Sequence, residues 1–148
     1  LKDFVAGSPD DLRLPILLGQ FYESRQRPDE ARALYQGVIE RSSRSPESLE
    51  ARNRLGALAM DKDDRADARA LFEAVLVEQP DNVGALVGRG NINYRDERYA
   101  EAVSDFRAAL RKQPDNAIAL LYLARSHDKL RDDSLAQDHY RRLLEVNP

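Results

Sequence analysis

The sequence of 148 residues contains no cysteine, no tryptophan and a single methionine. Without cysteine the chain forms no disulfide bond and no thiolate metal site. No apolar run approaches the length of about 18 residues that a membrane-spanning helix needs, and no signal peptide is visible. The net charge of −3 is too close to neutral to indicate a nucleic-acid or membrane-surface partner, so we expect neither.

Motifs for catalysis and for metal binding are also missing. The chain has no glycine-rich phosphate loop, no nucleophile elbow and no HExxH sequence. His127 and His139 lie twelve residues apart on different predicted helices, and we interpret them as surface or half-buried helix residues. The acidic turn at 61–64 lacks the glycine and the terminal glutamate of a calcium loop. We therefore expect a protein that is not an enzyme, with no catalytic residue, no metal and no cofactor.

A fixed spacing of prolines is the strongest pattern that the sequence does contain. One proline follows another at intervals of 34 residues, at Pro46, Pro80, Pro114 and Pro148. Pro9 precedes the first of these by 37 residues, and the three extra residues fall in the polar stretch 41–45. Such a period indicates a protein built from structural repeats of that length.

Each repeat contains two segments in which apolar residues recur at helical spacing, and none alternates for long enough to form a strand. The sequence therefore predicts an all-α fold of eight helices in antiparallel pairs joined by short polar turns. We place the repeats at about 12–45, 49–79, 83–113 and 117–148 of one domain, 1–148. Residues 1–8 would be the tail of a preceding repeat, because Phe4 and Val5 lie before Pro9 as apolar pairs lie before the later prolines.

The repeats resemble tetratricopeptide repeats, and the resemblance covers Pro9 to Pro148. The first-helix motif is carried by Leu18-Gly19 with Tyr22, Leu55-Gly56, Arg89-Gly90 and Leu123-Ala124. The second-helix motif, alanine with an aromatic residue four positions later, occurs at Ala31/Tyr35, Ala68/Phe72, Ala102/Phe106 and Ala136/Tyr140. The sequence departs from the family pattern at Pro15 and Arg52, where a large apolar residue is usual, and at Ala59, Asn93 and His127, which replace the tyrosine.

The resemblance implies a right-handed α-solenoid of antiparallel helix pairs. The small residues Gly19, Gly56, Gly90 and Ala124 would let the two helices of a pair approach closely. The aromatic residues of the second helices would fill the space between one pair and the next. In such an array the first helices line a concave groove.

The groove is the candidate binding site for a protein or peptide. Apolar side chains there could supply affinity, and amide groups could pair with an extended peptide backbone. By the repeat register the candidate groove residues are Asn53, Met60, Val87, Asn91, Tyr94, Ile118, Leu121 and Arg125. For Ile118 and Leu121 the alternative is that they pack on the preceding helix pair.

The sequence thus favours a non-catalytic scaffold that binds a protein or peptide partner. Two alternatives remain, a targeting or regulatory segment of a larger enzyme such as a glycosyltransferase, and a structural part of a cell-envelope export or assembly complex. Arginine supplies 19 of the 23 basic residues, which favours a bacterial source. The sequence leaves the compartment open between the bacterial cytoplasm and the periplasm. We also expect the uncapped last repeat, with Leu135 and Leu143, to allow self-association.

Overall fold

A computed structural model describes residues 10–148, and the predicted repeat tail at 1–8 lies outside the described residues. Within this part of the chain the structure contains eight helices and no strand, as predicted. The helices are α1 (Arg13–Ser24), α2 (Pro28–Arg41), α3 (Pro46–Asp61), α4 (Arg65–Glu78), α5 (Val83–Arg95), α6 (Tyr99–Lys112), α7 (Ala117–Lys129) and α8 (Asp133–Val146).

In three of the repeats, the polar residue just before the first helix determines where that helix begins. The side chains of Ser45, Asn82 and Asn116 accept hydrogen bonds from backbone N–H groups three residues later, at 3.1, 3.0 and 2.9 Å. These bonds satisfy donors that the first turn of a helix leaves without a partner. The recurring Pro-Asp-Asn tripeptide thus ends one repeat and caps the next.

The turn inside each helix pair contains a residue with a left-handed backbone. The φ angles are 57° at Gln26, 55° at Asp63, 61° at Glu97 and 59° at Arg131, which all occupy the same repeat position. None of these residues is glycine, so each turn carries the steric cost of a Cβ atom in this conformation. The repeat geometry therefore fixes these turns more strongly than the preference of the residues does.

The chain divides into two compact units, of which unit 1 ends at Leu71 and unit 2 begins at Phe72. The core of unit 1 is formed by α1, α2 and α3, with Ile16, Ala31, Tyr35, Val38, Ala51, Leu55 and Leu58. A Cβ atom on Gly19 would overlap the ring of Tyr35, which is fully buried. The close approach predicted at Gly19 is therefore present, and the aromatic ring occupies the space that a side chain there would need.

The core of unit 2 repeats this arrangement on α5 and α6. A Cβ atom on Gly90 would lie 2.8 Å from Cε1 of Phe106, whose ring is fully buried. A Cβ atom on Gly88 would overlap the ring of Phe72, so this ring packs on the next first helix as expected, although Gly88 itself was not named. Tyr140 is 36% exposed, unlike its counterparts, because no described helix covers that side of α8.

The last helix exposes apolar side chains, although they differ in part from those expected. Leu144 and Val146 are 66% and 39% exposed, whereas Leu135 and Leu143 are half-buried. Ala136 is the buried residue through which α8 packs most closely. Self-association through this helix stays a prediction.

Candidate functional site

The first helices of unit 1 are joined by polar contacts between their own side chains. Glu50 on α3 accepts hydrogen bonds from Gln20 at 3.1 Å and from Arg13 at 3.3 Å, both on α1. Arg54 pairs with Glu50 and with Glu23, each at 3.5 Å. The polar groups of this surface therefore contact one another, although the buried Nε atom of Arg54 makes no hydrogen bond to a described residue.

A buried tyrosine fixes one member of this network. The hydroxyl of Tyr35 donates a hydrogen bond to the Glu23 carboxylate. Burial, together with the neighbouring Glu23 carboxylate, raises the pKa of Tyr35 well above its usual range, so the hydroxyl stays a donor. The predicted site residues Asn53 and Met60 lie on α3 of the same unit and are both partly buried.

The first helices of unit 2 have a different character, because aromatic rings connect them. We define the unit 2 face as the remaining predicted site residues, which are Val87, Asn91 and Tyr94 on α5 with Ile118, Leu121 and Arg125 on α7. Tyr94 meets Tyr122 edge to face, with ring centroids 5.3 Å apart. The guanidinium carbon of Arg125 lies 5.3 Å from the centroid of the Tyr122 ring. Tyr122 thus supports two of the predicted site residues, although it was not itself predicted.

The side chains of the unit 2 face are available in different degrees. Ile118 is 55% exposed, so most of its side chain does not pack on the preceding helix pair. Arg125 is exposed, whereas Val87, Tyr94 and Leu121 are half-buried. The side-chain oxygen of Asn91 is buried and accepts no hydrogen bond. A buried acceptor without a donor is unfavourable.

An ion pair between Arg89 and Asp105 joins α5 to α6. Arg89 donates two hydrogen bonds to the Asp105 carboxylate, at 2.8 and 3.1 Å, and Asn93 donates a third at 3.0 Å. Asp105 is only 5% exposed, and its hydrogen bonds to Arg89 raise the pKa of the guanidinium. Asn93 was noted only as a departure from the family tyrosine, so sequence reasoning missed this cluster.

One of the two histidines, His127, was also misjudged from the sequence, whereas His139 is half-buried as expected. Their rings stack with centroids 5.3 Å apart and planes 15° from parallel. His127 is 5% exposed, so the expectation of a surface or half-buried residue is wrong for it. The pairing of α7 with α8 brings the two rings together. Burial lowers the pKa of both rings, and neither Nε2 atom has a hydrogen-bond partner.

Neither a metal centre nor a membrane span is found in the part of the chain that the structure describes. Residues 10–148 contain no group of three or more histidine, cysteine, aspartate or glutamate side chains that could hold a metal ion. None of the eight described helices is long and apolar enough to cross a bilayer.

A family model for the tetratricopeptide repeat matches three overlapping stretches of the chain, at residues 16–83, 53–108 and 95–148. The chain belongs to the tetratricopeptide repeat family. Members of this family generally serve in protein–protein interaction. No curated protein matches the sequence.

Solved structures agree with this assignment at the level of the fold. A crystal structure of MamA has a TM-score of 0.80 at 15% identity, over 98% of this chain and 83% of that one. PilF from Pseudomonas aeruginosa has a TM-score of 0.82 at 20% identity, over 94% of this chain and 63% of that one. MamA from Desulfovibrio magneticus RS-1 has a TM-score of 0.78 at 19% identity, over 94% and 77%. The predicted tetratricopeptide-repeat solenoid is therefore confirmed.

Proposed function

We propose that this tetratricopeptide repeat protein is a non-catalytic scaffold that binds an extended peptide segment of a partner protein on the unit 2 face. The observation that carries the proposal is the buried side-chain oxygen of Asn91, which has no hydrogen-bond donor. An extended peptide presents backbone N–H groups that are not used within its own chain. One such group completes the hydrogen bonding of Asn91 when the side-chain amide turns to bring this buried oxygen to the surface.

The side chains around Asn91 support a peptide more than a small polar ligand. Val87 and Tyr94 lie one helical turn to either side of it on α5, and Ile118 and Leu121 add apolar surface on α7. These groups could receive alternate side chains of an extended segment. A partner residue that buries the exposed part of Ile118 would gain from the removal of apolar surface from water.

Arg125 adds a charged group whose position is already restricted. Its guanidinium lies over Tyr122, so part of the entropy cost of ordering the side chain is met before a ligand arrives. A guanidinium held in this way can donate to a peptide carbonyl or to a carboxylate of the partner. We therefore expect peptides with an acidic side chain near the apolar anchor to bind more tightly.

Unit 1 contributes less to this proposal. The polar side chains of Gln20, Glu50 and Arg54 already contact one another, so the predicted site residues Asn53 and Met60 lie beside side chains that have partners within the chain. Their role in binding stays a prediction. Within residues 10–148 no observation favours either the enzyme-segment or the envelope-assembly alternative.

The proposal can be tested by selecting peptides from a displayed peptide library for binding to the whole protein. The dissociation constants of the selected peptides are then measured. Ile118→Ser should weaken the selected peptide about thirtyfold, corresponding to the ~2 kcal/mol of an interface hot spot. Val77→Ser is the matched control, because Val77 is 80% exposed in the same unit and lies on α4. Equal losses for the two variants, or no loss for Ile118→Ser, would contradict binding on the unit 2 face.

A further inference from the structure

Unit 1 contains an open cleft of about 530 Å³ between α2, α3 and the start of α4. Its floor is apolar and consists of Ile39, Leu55, Ala59 and Leu71. Leu55 and Ala59 lie on a different side of α3 from Glu50 and Arg54, so the cleft is separate from the network described above. Its volume falls within the range of about 300–1,000 Å³ that is common for ligand sites.

The repeat register explains why this space is empty. His127 follows Ala59 by 68 residues, which is two periods of 34, and His139 follows Leu71 by the same interval. In unit 2 the stacked imidazole rings occupy this repeat position. In unit 1 the methyl group of Ala59 stands where the fourth repeat has a ring.

In the first and third repeats, a side chain of the chain itself also occupies the repeat position that Ala59 holds in the second. Tyr22 packs against the core in the first repeat, and Asn93 donates a hydrogen bond of 3.0 Å to Asp105 in the third. Ala59 is therefore the smallest residue at this position in the four repeats of the chain. A larger side chain at position 59 would therefore extend into the cleft that Ala59 and Leu71 line.

The charges at the rim of the cleft indicate which kind of residue would be preferred beside a bound ring. The cleft is lined by three carboxylates, on Glu40, Asp64 and Asp67, and by two cations, on Arg32 and Lys62. Lys62 already pairs with Asp29 at 3.6 Å. Within the described residues the Asp67 carboxylate makes no hydrogen bond or ion pair. Among residues 10–148, the carboxylates at the rim that form no ion pair thus outnumber the cations that form none. A basic group beside the bound ring would be attracted to them.

We propose that the unit 1 cleft binds an aromatic side chain of a partner protein, flanked in the partner sequence by a basic residue. The ring fills the space above Ala59 and packs on Leu71, as His127 packs on His139 within unit 2. The basic side chain pairs with Asp67 at the rim. Because the cleft is open on its outer side, the partner backbone covers the ring, which a free aromatic molecule could not do.

A fluorescent peptide gives a direct test, because the protein contains no tryptophan. The probe is N-acetyl-Arg-Trp-Arg-amide, and its indole emission shifts to shorter wavelength when the ring leaves water. We expect it to bind the whole protein at least about tenfold more tightly than N-acetyl-Glu-Trp-Glu-amide, a difference of ~1.4 kcal/mol. N-acetyl-Arg-Leu-Arg-amide should compete with the probe only weakly.

Substitutions that fill the cleft locate the bound ring. Ala59→Tyr should abolish the emission shift, and Ala59→His, which copies the fourth repeat, should do the same. Ala57→Tyr is the matched control, because Ala57 is exposed on another side of α3. Asp67→Lys should remove the preference for the basic probe over the acidic one. Circular dichroism melts of all variants confirm that each is folded.

Three results would overturn the proposal. The first is that the wild-type protein does not shift the emission of the basic probe, and the second is that the two charged probes bind with equal affinity. The third is that Ala57→Tyr removes binding of the probe while Ala59→Tyr does not. Ile118→Ser separates this proposal from binding on the unit 2 face, since it should leave the affinity of the tryptophan probe unchanged. A loss of affinity in Ile118→Ser would place the probe on the unit 2 face and contradict the cleft.

Discussion

The imidazole rings of His127 and His139 stack face to face between α7 and α8, and neither Nε2 atom has a hydrogen-bond partner. Charged groups approach them from each neighbouring element. Arg107 on α6 disfavours protonation of both rings, whereas Asp132, in the turn before α8, favours protonation of His127. Two further groups on α8 act on His139 in opposite directions, Arg142 and Asp138. A positive charge on His127 would also disfavour protonation of His139, so most groups around the two rings oppose a positive charge on them.

Acid should loosen this part of unit 2. Burial holds the pKa of both rings below the ordinary value of 6.5, so in mildly acidic solution the unfolded chain binds more protons than the folded one. The stability contributed by the neutral pair is fully present above pH 6.5 and is lost as the pH falls through the lowered pKa values. Urea unfolding at pH 7.5 and at pH 5.5 measures the difference.

The chain has only two histidines, so His127→Phe with His139→Phe provides a protein without this titration. Its urea midpoint should change much less between the two pH values than that of the wild type. An equal change in both proteins would show that other groups account for the pH dependence.

Removal of the Asp105 carboxylate should destabilise unit 2. Asp105→Ala leaves Arg89 and Asn93 without their shared acceptor, and hydrogen bonds to a charged group contribute ~1.5–3 kcal/mol. We expect the free energy of unfolding to fall by about that amount in chemical denaturation. Asp115→Ala, at an exposed aspartate in a loop of the same unit, should have little effect. Similar losses for the two variants would argue against a structural role for the cluster.

Two glycines in helices should respond in opposite directions to the same substitution. Gly90→Ala places a Cβ atom against the buried ring of Phe106 and should cost ~1–3 kcal/mol through overpacking. Gly37→Ala, in α2, meets nothing within 4 Å and should stabilise the helix by about 0.5–1 kcal/mol. Thermal melts of the two variants compare these effects. A stabilised Gly90→Ala protein would show that the helices of the third repeat are not in close contact.

Glycine at a left-handed position should stabilise the chain. Glu97 has a φ angle of 61° in the turn between α5 and α6. Glu97→Gly should relieve a conformational cost of ~1–2 kcal/mol, and the greater freedom of glycine in the unfolded chain offsets part of this gain. We therefore expect the free energy of unfolding to rise by about 0.5–1 kcal/mol. Glu97→Ala is the control, because it removes the side chain but keeps the Cβ atom. A gain in the alanine variant as large as in the glycine variant would rule out the backbone explanation.

The elements of this fold could be predicted because local features encode them. The period of the prolines gave the repeat, and the small residues Gly19 and Gly90 were predicted to allow two helices to approach closely. Their contacts with the rings of Tyr35 and Phe106 were not predicted. The left-handed turns were not predicted, because Gln26, Asp63, Glu97 and Arg131 lack the glycine that usually marks such a conformation.

The paired side chains were missed for a different reason. Asn93 contacts Asp105, and His127 contacts His139, across two helices that are each amphipathic in their own right. Neither residue of a pair is informative alone, and only the helix-pair geometry brings them together. The repeat register was the available signal, since each pair occupies the same two repeat positions, twelve residues apart. The same positions hold Ala59 and Leu71 in the second repeat.

The acceptor role of Asn91 is the most direct test of the proposed function. Asn91→Asp keeps a side-chain oxygen of the same size, whereas Asn91→Leu removes the acceptor and keeps the volume. With a peptide selected on the wild type, titration should show that Asn91→Leu weakens binding by about tenfold or more, equivalent to ~1.4 kcal/mol, and that Asn91→Asp retains most of the affinity. Equal affinity of the wild type and Asn91→Leu for that peptide would contradict binding through this amide.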